Sequence, residues 1–102
     1  MRAEKFKKFD AAEFLTDNET IGFYLTEALA TKDAKMIAIA LGDGARAKGG
    51  ITHLSRKTGI TREALHRALS KNGNPEFGTV LKVMEALGVR LKASIVAKRK
   101  AA

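Results

Sequence analysis

Residues 51–70 read ITHLSRKTGITREALHRALS, and this stretch decides the fold. Leu54 and Ser55 fall on the inward side of a first short helix. Gly59 stands where the backbone must turn through left-handed or closely packed space, which glycine enters at little steric cost. Ile60 plugs the corner, and the Thr61 hydroxyl caps the helix that follows. In that second helix Leu65, Ala68 and Leu69 recur at helical spacing, which leaves Arg62, Glu63, His66, Arg67 and Ser70 on the other face. An apolar inner face, a glycine turn and a basic outer face form the layout of a helix-turn-helix, a motif whose second helix enters the major groove of DNA.

The same stretch supplies the candidate contacts. Arginine carries a planar fork that matches guanine O6 and N7, or a phosphate, so Arg62 and Arg67 are base-reading candidates. Glu63 can accept from cytosine N4; it can equally support the helix N-terminus and pair with Arg67 one turn on. His66 lies between them in a reading position. Thr52, His53, Arg56, Lys57, Thr61, Ser70 and Lys71 are candidates for phosphate contacts, which position a protein without reading sequence. The competing explanation for Arg62 and Arg67 is a solvated helix face, and for His66 a surface histidine with no task.

Working outward, Lys71-Asn72-Gly73 breaks the recognition helix. Asn74-Pro75 is a start signal, with Asn at the N-cap and Pro at the first helical position. It predicts a helix that turns Phe77, Val80, Leu81, Met84 and Leu87 inward and ends at Gly88. From Val89 to Val96 the period changes to two, which predicts a single short strand. A lone strand needs a partner: an N-terminal arm, a second subunit or another protein. Upstream, Gly49-Gly50 ends a helix that starts at Asp33, with Met36, Ile37, Ala40 and Leu41 inward. Its stripe runs in phase through Gly44 and Ala47 to about Lys48, although each helical glycine costs about 1 kcal/mol. Gly44 therefore marks a close approach; Gly42-Asp43-Gly44 lacks the lysine and preceding strand of a phosphate loop. Thr16-Asp17-Asn18-Glu19 matches a capping box. Behind it Ile21, Tyr24, Leu25, Ala28 and Leu29 form a stripe that ends near Ala30 or Thr31, and Asp10 caps a short turn through Glu13 to Leu15.

These readings predict a mainly α protein: a repressor-like five-helix DNA-binding domain with extra N-terminal helices and a short C-terminal β-strand. Residues 9–96 form the domain, 1–8 a flexible basic arm or edge strand, and 97–102 a disordered basic tail. A chain of 102 residues supports one domain with a modest core. It has no cysteine, which excludes disulfides and thiolate metal sites. It has no apolar run near the roughly 20 residues of a membrane span, and its basic start is not followed by the apolar segment of a signal peptide. A cytoplasmic setting is expected. The two histidines, His53 and His66, both fall in the motif and lack metal spacing. No catalytic residue, metal or cofactor is assigned, and an enzyme is not expected.

The net charge is +8, unevenly spread. Residues 1–44 hold six Lys/Arg against eight Asp/Glu, a net of −2; residues 45–102 hold thirteen against three, a net of +10. The basic part contains the helix-turn-helix, which points to a polyanion as its partner.

The segments FDAAEFL, LTEALATKD, IAIALGDGARAKGG, LSRKTGITREALHRALS and NPEFGTVLKVMEALGV, with the alternating segment after them, resemble one family across residues 9–96. It is the addiction-module antidote family, the antitoxins of toxin–antitoxin pairs, with a Cro- and phage-repressor-like helix-turn-helix. The resemblance implies a small protein that neutralises a toxin encoded beside it and represses their shared operon. One departure stands out. Many repressors place Gln at the start of the first motif helix, touching a phosphate and bracing a base-reading residue; here that residue is Ile51, and Thr52 or His53 takes the backbone contact.

The expected partners are double-stranded operator DNA with an inverted repeat, a second copy of the chain, and a small basic toxin. Residues 9–44 carry two Lys/Arg against seven Asp/Glu. A surface of Glu13, Asp17, Glu19, Glu27 and Asp33 would repel DNA and attract such a toxin; a solvated acidic face without a partner explains the same charges. The alternative function is a free-standing helix-turn-helix repressor with no toxin partner.

Overall fold

Most helices of the chain start where a short polar side chain takes up an orphan backbone N–H. A computed structural model describes residues 10–97; the arm expected at 1–8, and the tail beyond Ala97, lie outside the described residues. Asp10 accepts from the Ala12 N–H at 3.1 Å and opens a 3-10 turn, Ala11–Phe14. Helix α1 spans Asn18–Ala30 and is capped by Asp17, which accepts from the Thr20 N–H at 2.8 Å. The capping box expected at Thr16 is therefore displaced by one residue, and Glu19 does not take its reciprocal role. A carboxylate is the better cap, and its charge suits the positive end of the helix.

Asp33 caps α2 (Ala34–Ala47) by accepting from the Lys35 N–H at 2.9 Å. As the periodicity predicts, α2 runs unbroken through Gly42-Asp43-Gly44. Helix α3 (Gly50–Thr58) begins and ends on left-handed glycines, Gly49 and Gly59, and α4 covers Arg62–Ala68. Helix α5 (Phe77–Ala86) starts later than Asn74-Pro75 suggests. Glu76 is still extended, with φ −65° and ψ 153°, so the helix opens at Phe77.

Helix α2 is the centre of the fold, packing against α1, α3, α5 and the 3-10 turn, while α3 packs against α4 and α5. Ile21, Leu41, Leu65, Leu87 and Val83 are the largest fully buried side chains. Each such burial contributes about 1.5–3 kcal/mol. Two features of the expected core change. Val83, absent from the predicted α5 stripe, is fully buried, whereas Phe77 and Leu81 are exposed; Phe77, the first residue of α5, projects into solvent. Met36 on α2 is also exposed.

Among the described residues five α-helices account for the repressor-like core, and of the extra N-terminal helices only the 3-10 turn is present there. The strand expected at 89–96 is not formed among the described residues. The Val89 N–H donates to the Met84 carbonyl at 3.0 Å, and Val89 and Leu91 pack on the core. Beyond Val89 the described residues make no backbone hydrogen bond, and Ile95 and Val96 are 95% and 87% exposed. A strand exists only within a ladder, and the described part of the chain offers this segment no edge to join.

One charged side chain is buried among the described residues, Asp43 on α2. A buried carboxylate is tolerated when it is paired and hydrogen-bonded. Asp43 accepts from the Tyr24 hydroxyl at 2.5 Å and from the Arg46 guanidinium at 2.9 Å. Arg46 also donates to Asp10 at 2.5 Å, which ties the 3-10 turn and α1 to the C-terminal part of α2. Burial, followed by the hydrogen bond to Asp43, pushes the Tyr24 phenol up to about 12. The Arg46 hydrogen bond holds the Asp10 carboxyl below its usual range. Sequence periodicity places Tyr24 in the core without this network; the i, i+3 spacing of Asp43 and Arg46 is the signal it leaves.

Candidate nucleic-acid interface

Helices α3 and α4 are joined by a three-residue turn, Gly59–Thr61. Gly59 takes φ +79°, the left-handed conformation that disfavours other residues. Side-chain hydroxyls lock the turn. Ser55 Oγ donates to the Ile60 carbonyl at 2.5 Å. Thr58 Oγ1 donates to the Leu54 carbonyl at 2.9 Å and accepts from the Ile60 N–H at 3.2 Å. Ser55 is thus more than the small packing residue the sequence suggests: it is half-buried and bridges the corner. Thr61 caps α4 as expected, accepting from the Ala64 N–H at 3.1 Å. Its hydroxyl proton is not used by the cap and is free to donate outward. Leu54, Leu65 and Leu69 are buried beneath the pair, and Ile51, Ile60 and Ala68 pack against them.

This packing sets the outer face. Arg62, Glu63, His66 and Arg67 are all exposed on α4. Among the described residues the ion pairs are those of Arg46 with Asp10 and Asp43, so the i, i+4 pair of Glu63 with Arg67 is not formed. Arg56, Lys57, Arg62, Arg67 and Lys71 likewise have no ion-pair partner among the described residues, and all five are exposed.

Thr52 and His53 are exposed near the start of α3, where Ile51 turns its side chain to the core. The His53 ring lies over Gly49, where a Cβ would come within 3.1 Å of it. Lys57 sits on the side of α3 toward α5, lining a crevice with Lys82 and Glu85. Arg67 borders the crevice between α4 and the turn at 72–76, which also contains Glu76. Ser70 is half-buried and donates to the Arg67 carbonyl at 3.1 Å, so its hydroxyl proton is committed to the end of α4.

The five acidic candidates are exposed, but they are not equivalent. Asp17 and Asp33 serve as helix caps, and the Thr20 N–H lowers the Asp17 pKa. Glu13 lies on the 3-10 turn. Glu19 and Glu27 lie on α1, with the exposed Phe23 midway between them. Among the described residues no group of three or more His, Cys, Asp or Glu side chains could hold a metal ion, and no helix is long and apolar enough to cross a membrane.

The helical core and the exposed basic pair α3–α4 define a small protein of repressor-like architecture. Residues 5–95 match the family described as probable addiction module antidote protein, and the chain belongs to that family. It is 47% identical over 89 residues to an uncharacterized protein of Haemophilus influenzae; the match covers 87% of this chain and 91% of that relative. No solved structure matches the chain. Membership of the antidote family supports an antitoxin role and implies a toxin as partner.

Proposed function

We propose that the chain is the antitoxin of a toxin–antitoxin pair, and that it also represses its own operon by binding operator DNA through α3 and α4 as a helix-turn-helix. The supporting observation is the exposed face of α4, where Arg62 and Arg67 stand without ion-pair partners among the described residues, flanked by Arg56, Lys57 and Lys71. In this reading α4 enters the major groove. Arg62 and Arg67 present their forks to guanines, while Glu63 and His66 read the neighbouring base edges. Thr52, Arg56, Lys57, Thr61 and Lys71 hold the phosphates, with His53 beside them at the start of α3. Repression is occlusion of the promoter, with no bond made or broken.

Two copies bind together. The segment from Arg90 to Ala97 has no backbone partner among the described residues and includes the exposed, β-branched Ile95 and Val96. Antiparallel pairing of this segment across a two-fold axis would complete its ladder. The operator is then an inverted repeat with half-sites about 34 Å apart, or a multiple of that. The acidic N-terminal half faces the toxin.

Mobility shifts on the DNA upstream of the gene, against scrambled DNA of equal length, test the repressor part. Selective binding by the natural chain, weakened in Arg62→Ala and Arg67→Ala, is the expected result. Equal affinity for both DNAs would mean binding by charge alone. Failure to co-purify with the product of the neighbouring gene would reduce the protein to a free-standing repressor.

A further inference from the structure

The apolar stripe of α2 is wider than the described chain covers. Ala38, Ala40 and Leu41 are buried, but Met36 is 46% exposed and Ile39 36% exposed on the same helix. Together with Tyr24, Glu27 and Ala28 of α1 they line a groove of about 290 Å³. Ala28 and Ala40 are buried and small, so they form a floor rather than a filling. Tyr24 forms one wall, and its hydroxyl is held by Asp43, itself held by Arg46. A wall fixed in advance loses little freedom when something binds. Met36 on the opposite side is flexible and adapts to what it meets.

We infer that the toxin seats an apolar side chain in this groove between α1 and α2, with its own basic residues against Glu27 at the rim. The inference rests on the antitoxin reading above and gives that reading a place on the molecule. The charge of the surroundings favours a basic protein as occupant. Glu27 borders the groove, Glu19 stands two turns away on α1, and residues 9–44 carry a net −5. Such a field repels nucleic acid and speeds the encounter with a basic protein. A second copy of the chain has a different edge to join, the segment after Val89. That segment lies against Gly22, Leu25 and Leu29 in a separate cavity, which shares no lining residue with this groove.

The test measures the affinity of the full-length chain for the purified product of the neighbouring gene, and for upstream DNA, in Ile39→Asp, Met36→Ala and Glu27→Lys. Met36 and Ile39 are exposed enough for the variants to fold, which thermal unfolding checks. Ile39→Asp should weaken toxin binding by about 30-fold, the loss of one well-packed anchor, and leave upstream-DNA affinity unchanged. Met36→Ala should lose less, in the same direction. Glu27→Lys should slow association and flatten its dependence on salt. Unchanged toxin affinity in both Ile39→Asp and Met36→Ala overturns the groove assignment while the antitoxin reading stands. So does a loss of self-association in those variants with toxin affinity intact, which would make the groove a contact between copies. If the natural chain does not bind the toxin at all, the antitoxin reading falls and the groove assignment falls with it.

Discussion

Replacing Gly42 with alanine sets helix propensity against packing, and the geometry says packing wins. On local grounds the change is favourable, because glycine inside a helix costs about 1 kcal/mol relative to alanine. The new Cβ, however, would stand 2.8 Å from the carbonyl oxygen of Leu69. That oxygen is backbone, in the residue that closes α4 through its N–H bond to the Leu65 carbonyl. It cannot swing aside as a side chain could, so α2 and the end of α4 must move apart. Overpacking of this kind costs about 1–3 kcal/mol, leaving a net loss of roughly 1 kcal/mol after the propensity gain. For a domain of this size that lowers the melting temperature by about 4–8 °C. Because the displaced element is α4, operator affinity should fall as well. Two internal controls grade the effect. At Gly44 the Cβ would meet a side-chain methyl, Leu87 Cδ1, at 3.0 Å, so Gly44→Ala should be close to neutral. At Gly78 nothing lies within 4 Å, so Gly78→Ala should stabilise by up to about 1 kcal/mol and leave DNA binding alone. Thermal unfolding by circular dichroism, with mobility shifts alongside, reads all three. A Gly42→Ala protein as stable as Gly78→Ala would refute the packing argument.

Four further outcomes are expected. Arg62→Ala and Arg67→Ala should each cost about 1–3 kcal/mol of operator binding and relax specificity at one base pair, measured by mobility shifts on single-base operator variants. Arg56→Ala and Lys57→Ala should weaken binding to all sequences alike and reduce the salt slope by about one each, read from affinities across a salt series. In sedimentation, Ile95→Pro should shift the chain toward monomer and abolish binding to an inverted repeat more than to a half-site. Tyr24 gives an alkaline signature. Its phenol is held up to about 12 in the folded chain against an ordinary 10.0, so its contribution is complete below pH 10 and is lost as pH rises through 12. The stability difference between the natural chain and Tyr24→Phe should therefore shrink across that window, seen in melts at successive pH values.

Much of the architecture is local and so is written in neighbouring residues. Asp10, Asp33 and Thr61 cap as their residue types suggest, because a short polar side chain reaches an orphan N–H a few residues on. The α3–turn–α4 pair follows from Gly59 and the Leu54, Leu65 and Leu69 spacing. The exposure of Arg62, Glu63, His66 and Arg67 is legible for the same reason: an amphipathic helix whose inner face is apolar leaves its other residues outside. Even so, Ser70 points back to α4, and only the folded geometry shows that its hydroxyl is engaged.

Periodicity, capping residues and composition act over a few residues at a time, so the positions and order of α1 to α5, the uneven charge and the resemblance to the antidote family are all legible in the chain, while the extra N-terminal helices expected beside them are, among the described residues, a single 3-10 turn. The tertiary structure decided what depends on distant partners. It placed a Leu69 oxygen where Gly42 admits no Cβ, and it brought Tyr24, Asp10 and Arg46 around a buried Asp43. It left Met36 and Ile39 uncovered, and it left residues 90–97 without a ladder. A periodic stripe states which residues are apolar, but coverage is a property of the surfaces that meet. A strand, likewise, is completed only by the edge it joins.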